Sequence, residues 1–170
     1  MHKTKREAFA YRLGGDSRYD DPNKNFGCIY AGGSVETALT ETAIWETGKC
    51  ALSQGWLQSR TLSIFSTQRP LNLVDLTQGP SLYKLGADAE LSVGRDRVLT
   101  RTWSEAFHAH PCRIDGLAYV ARHGPRQDCC ATFDRVIANL EIENQFGLWE
   151  YHLGGGLDEF IEKYGIQILS

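Results

Sequence analysis

Seven short, largely apolar runs of four to six residues, at 9–13, 28–31, 61–65, 71–76, 116–120, 130–133 and 166–169, are separated by stretches that contain glycine, proline or polar residues. Runs this short, rich in β-branched and aromatic residues, read as β-strands, and the breakers between them read as turns. Helical periodicity is found at three places. Ser34 is a natural N-cap, Glu36 sits near the positive end of the dipole, and Val35, Ala38, Leu39, Thr42 and Trp45 repeat at helical spacing until Gly48. Asp96 caps a second helix with Leu99, Trp103, Ala106, Phe107 and His110 along one stripe, and Pro111 closes it. Residues 157–164 form the third, stopped by Gly165 at its C′ position.

Strands outnumber helices and do not alternate with them regularly, which excludes a doubly wound sheet. The pattern predicts an α+β fold, with mostly antiparallel strands around a cleft. Gln78-Gly79-Pro80 reads as a turn, residues 81–95 as short helices on Leu82, Leu85 and Leu91, and residues 55–60 as ambiguous. Residues 1–7 read as a frayed tail and residues 8–170 as one domain.

Composition narrows the function classes. A formal net charge of -3 leaves no basic footprint for nucleic acid. No apolar run approaches the roughly 20 residues of a membrane helix, and the basic start lacks the apolar core of a signal peptide. Five cysteines without a CxxC pair predict reduced thiols and a cytoplasmic location. His108 and His110, two apart on a helix, diverge and predict no metal site.

One stretch concentrates chemistry. Within about thirty residues it sets Arg12, Arg18, Tyr30 and Glu41 around a double glycine and a short apolar strand. Two guanidiniums can grip a diphosphate bidentately. A tyrosine offers a ring to stack on and a hydroxyl to direct. Glu41 lies near Ala38 on a largely apolar helix face, and a carboxylate there needs a cation or hydroxyl donors. Such a group can hold a ribose or steady a cationic sugar transition state. The set suits a pyridine dinucleotide bound as a substrate. Gly32-Gly33 and Gly154-Gly155-Gly156 match neither the dinucleotide fingerprint nor a P-loop.

The order and spacing of these residues resemble the RES-domain family of NAD-degrading bacterial toxins. Thr100-Arg101-Thr102-Trp103 looks like the family's Thr-Arg-x-Trp helix, and Asp115-Gly116-Leu117-Ala118-Tyr119 with Arg122 like its Asp-Gly-Leu-x-Tyr-x-Ser-Arg strand. Residues 130–135 resemble the strand that follows, and residues 157–169 the closing helix and strand. The resemblance implies a compact α+β domain related in architecture to ADP-ribosyltransferase toxins. It implies catalytic roles for Arg12, Tyr30 and Glu41, and substrate binding by Arg18, Tyr19, Thr100, Arg101, Ser104, Arg122 and His123. The substrate would be NAD, cleaved at the nicotinamide–ribose bond with inorganic phosphate or water as acceptor and no resident cofactor. A small antitoxin would be the partner, and self-association is left open. Ala121 stands where many relatives carry serine and has no hydroxyl to orient a phosphate or ribose oxygen. Two other readings share this pocket: an ADP-ribosyltransferase with a macromolecular target, and a non-catalytic nucleotide-binding module.

Overall fold

The Asp115-Gly116 pair starts the central strand of the larger sheet, and both residues are there for physical reasons. The Asp115 carboxylate is buried and accepts both arms of the Arg69 guanidinium, at 2.7 and 2.9 Å, and the Asn72 N–H at 2.8 Å. A Cβ on Gly116 would stand 2.3 Å from the Ala131 carbonyl oxygen, so only glycine lets the neighbouring strand approach. The computed structural model describes residues 1–11, 13–44, 51–122 and 128–170. The expectations for Arg12, Trp45, Gly48 and His123 lie outside those residues.

The larger sheet runs in the order β2 (Cys28–Gly32), β7 (Asp128–Phe133), β6 (Gly116–Val120) and β5 (Leu73–Asp75). Its pairings are antiparallel except for β5 with β6, which is parallel. A second, antiparallel sheet holds β1 (His2–Lys3), β4 (Arg60–Thr67) and β8 (Leu140–Gly147). A short parallel pair joins β3 (Ala51–Ser53) to β9 (Gln167–Leu169). The helices are α1 (Val35–Leu39), α2 (Gln54–Gln58), α3 (Gly79–Leu85), α4 (Glu90–Val93), α5 (Arg97–Ala109), α6 (Leu148–Leu153) and α7 (Asp158–Tyr164). These elements pack into one compact α+β domain, as the strand-rich pattern predicts.

Three apolar clusters are found among the described residues, a small one about Ile29, Val136 and Leu140 and two larger ones that frame the site. Of the larger two, one gathers Tyr19, Phe26, Leu91, Phe107, Leu117 and Phe133 about the larger sheet. The other gathers Leu39, Ala43, Leu52, Leu62, Leu148 and Phe160. The candidate site forms where they meet, because β2 and β6 contribute from the first and the α1 region from the second.

Several local expectations are corrected. Residues 1–7 are not a frayed tail, since His2 and Lys3 pair with Thr61 and Arg60. Of the strand expected at 9–13, the described residues 9–11 and 13 run through turns and irregular backbone. Gln78-Gly79-Pro80 starts a helix instead of a turn, because proline is well placed in a first helical turn. On α5 the enclosed residues are Thr100, Ser104 and Phe107, whereas Ala106 and His110 are exposed. Strand β8 went unread because six of its eight residues are exposed, and Leu140, Ile142 and Phe146 among polar residues make no continuous apolar run.

The cap at Ser34 is as expected, accepting from Thr37 N–H at 3.1 Å. Beyond it, α1 widens into a π-helical turn at Thr40–Ile44. Its wider hydrogen-bond spacing shifts the side-chain register, so Thr40 and Ala43 are buried rather than Thr42.

The Arg69 fork holds the Asp115 carboxyl below its usual range, so its stabilisation is complete above the unfolded value near pH 4. That stabilisation should fade as pH falls through the lowered folded value. Asp115→Asn should cost about 2 kcal/mol at neutral pH and flatten the acid limb of stability. Urea denaturation at pH 3 to 7 measures both, and an unchanged acid limb would contradict the assignment.

Candidate functional site

Helix α5 builds the site's first wall through its polar face. Residues 97, 100, 101 and 104 share one side of the helix, and together they donate to five successive carbonyls. Arg101 Nη2 reaches the Gly15 oxygen at 3.3 Å and its Nε the Ser17 oxygen at 3.2 Å. Arg97 Nη1 donates to the Asp16 oxygen. Thr100 Oγ1 donates to the Arg18 oxygen at 2.7 Å, and Ser104 Oγ to the Tyr19 oxygen at 2.8 Å. The same segment is tied from β2, where Tyr30 Oη accepts from Tyr19 N–H at 2.9 Å and donates to Asp20 Oδ1 at 3.0 Å.

That scaffold fixes Arg18. Its guanidinium lies 5.3 Å from the centre of the Tyr119 ring and 5.8 Å from that of Tyr19, within cation–π reach, and donates to the Ser92 carbonyl. The two rings meet edge-on at 5.1 Å. Burial pushes the Tyr19 hydroxyl up to about 12, so it stays a donor and bonds the Leu91 carbonyl at 3.0 Å.

Glu41 and Arg122 form the facing wall. Glu41 Oε1 accepts from the Arg122 backbone N–H at 3.0 Å. The Arg122 guanidinium donates to the Val93 and Gly94 carbonyls at 3.3 and 2.6 Å. Burial and the positive charges of Arg18, Arg95 and Arg97 hold its pKa below the usual guanidinium value. Like charges crowd here, and an anion would relieve them.

The resulting cleft encloses about 420 Å³, with Arg18, Arg97, Arg122, Glu41, Tyr30 and Tyr119 among its lining residues. Cys129 also lines it, but burial raises that thiol to about 12, so it stays protonated at neutral pH. Among the described residues no group of three or more His, Cys, Asp or Glu side chains is arranged to hold a metal ion.

A model of the RES domain matches residues 1–153. The chain belongs to the RES domain family. No curated protein matches the chain, and no solved structure does. Membership is consistent with a toxin-like, NAD-related module. The matched span contains every residue that lines the cleft and ends with α6, before α7 and β9. Among the described residues no helix is long and apolar enough to cross a membrane.

The RES domain brings four of the expected residues, Arg18, Tyr30, Glu41 and Arg122, to one cleft. Four others stand elsewhere. Tyr19, Thr100 and Ser104 are fully enclosed, and Arg101 is bonded to the Gly15 and Ser17 carbonyls without lining the cleft. Their side chains donate to backbone carbonyls and support the wall, and none of the four is among the residues that line the cleft. Ala121 is likewise buried. Two cleft residues escaped the sequence reading. Arg97 opens α5 one turn before Arg101, and the polar stripe 97, 100, 101, 104 was the available signal. Tyr119 was read only as part of a strand motif.

Tyr30→Phe keeps the ring in the cleft and removes the hydroxyl bridge between Tyr19 and Asp20. It should cost about 1–2 kcal/mol in urea denaturation, since the acceptor is a carboxylate. Amide exchange at Tyr19 should quicken in the same variant. Unchanged stability and exchange would show that the bridge carries no load.

Proposed function

We propose that this RES domain degrades NAD by breaking the bond between nicotinamide and the ribose anomeric carbon. The observation that carries the reading is the single cleft in which Glu41 shares space with the guanidiniums of Arg18, Arg97 and Arg122. Nicotinamide in NAD is already a cationic leaving group, so cleavage needs orientation and charge stabilisation more than a strong nucleophile. The arginines hold the pyrophosphate and, where it is the acceptor, the attacking phosphate. Arg12 joins them by family resemblance. The Tyr30 ring stacks on the nicotinamide riboside. Glu41 steadies the developing oxocarbenium through the ribose hydroxyls.

The acceptor oxygen bonds to the anomeric carbon as the electron pair of the breaking bond passes to the nicotinamide ring nitrogen. Phosphate gives ADP-ribose 1″-phosphate. Water gives ADP-ribose and releases a proton. In a cell the activity would be that of a cytoplasmic toxin, held in check by a small antitoxin that covers the cleft.

Purified protein incubated with NAD, with and without phosphate, is the decisive assay, read by mass spectrometry. The expected result is loss of NAD with release of nicotinamide. ADP-ribose 1″-phosphate only with phosphate assigns a phosphorylase, and ADP-ribose in both assigns a glycohydrolase. Intact NAD in both overturns the proposal.

Glu41→Gln retains an oxygen to accept the Arg122 N–H, so the fold should hold while turnover falls at least about 100-fold. Steady-state kinetics with circular dichroism tests this, and wild-type kcat/KM in the variant would remove Glu41 from the mechanism.

A further inference from the structure

A second concavity, of about 250 Å³, shares no lining residue with the NAD cleft. It opens at the other end of β6, beside Asp115, roughly 13 Å along the strand from Tyr119. Three arginines line it, Arg69, Arg113 and Arg135, with Asp115 as the one carboxylate. On a chain of formal net charge -3 this is a local reversal of sign.

Two of the guanidiniums are held by side-chain contacts, and the third arginine is marked by its backbone. Arg69 is clamped to Asp115, whose two oxygens already accept three N–H groups, so that carboxylate is largely neutralised within the protein. Arg135 donates to the His108 carbonyl at 2.7 Å and lies 5.6 Å from the centre of the Phe133 ring. Arg113 follows the turn in which its N–H bonds the His110 carbonyl at 3.0 Å, and its backbone is left-handed, with φ of 50°. A side chain at such a φ carries a steric strain that glycine would not. A strained arginine beside two pre-positioned ones marks a site kept for its charge.

We propose that this concavity binds a phosphate group, as inorganic phosphate or as the phosphate of a small monoester. Its tetrahedral oxygens match guanidinium forks, and its double charge answers the two arginines left after Arg69 pairs with Asp115. The cavity leaves room for a sugar-sized ester beyond the phosphate itself. The site does not depend on the reaction proposed for the main cleft.

Cys112 is exposed on the rim and serves as a built-in reporter. The native protein is alkylated with iodoacetate, which is anionic, or iodoacetamide, which is neutral, and modification at Cys112 is followed by peptide mass spectrometry. Ionic strength is held constant with chloride. The ratio of the two rates should be several-fold higher in folded than in urea-unfolded protein. Inorganic phosphate should bring it down toward the unfolded value. If ribose 5-phosphate does so at lower concentration, the ester is the ligand; if not, free phosphate is.

Arg113→Gly relieves the left-handed backbone, so the variant should fold at least as stably as the parent. It should lose both the raised ratio and its response to phosphate, while activity toward NAD is unchanged. A folded ratio equal to the unfolded one overturns the proposal. So does a phosphate response that survives in Arg113→Gly.

Discussion

Five successive carbonyls, from Gly15 to Tyr19, accept hydrogen bonds from one face of a single helix, and the cleft depends on that interaction. The segment has no regular secondary structure of its own, so its backbone groups need partners from elsewhere. Arg97, Thr100, Arg101 and Ser104 supply them at helical spacing, and Tyr30 ties the same segment to β2. Arg18 therefore projects from a stretch that is irregular in form yet fixed in place. Because the order is built in beforehand, an anion meeting Arg18 need not arrange the segment as it binds.

Electrostatics then give the cleft its character. Arg18, Arg97 and Arg122 line one space, and burial together with the neighbouring positive charges lowers the pKa of Arg122. Backbone carbonyls of Ser92, Val93 and Gly94 hold two of these guanidiniums in position. Glu41 stands opposite, its carboxylate bonded to the Arg122 backbone N–H. This juxtaposition suits a substrate with anionic phosphates at one point and developing positive charge at another.

The motifs that carry the family resemblance turn out to divide between cleft and scaffold. Asp115 and Gly116 serve folding, one as the anchor of a buried ion pair and the other as a close approach between strands. Thr100, Arg101 and Ser104 serve the wall behind Arg18. A sequence motif registers that a residue type is required at a position. The requirement can be a hydrogen bond to a carbonyl as readily as a contact with substrate.

The sequence by itself determined the elements with strong local signals: the caps at Ser34 and Asp96, the stop at Gly165, and the strands about residues 30, 62, 118 and 131. Capping, breakers and apolar runs act over a few residues, so they are legible without partners. It also marked Glu41 as an unusual carboxylate on an apolar helix face, whereas Arg18 and Tyr30 stood out through the family resemblance. What only the tertiary structure decided is which polar side chains face the cleft. Thr100 and Arg97 sit three apart on one helix, yet one is enclosed behind Arg18 and the other lines the cleft. The strand β8 and the π-turn at Thr40–Ile44 were equally hidden. In each case the outcome depends on contacts between residues far apart in the chain, and such contacts leave no periodicity in the sequence.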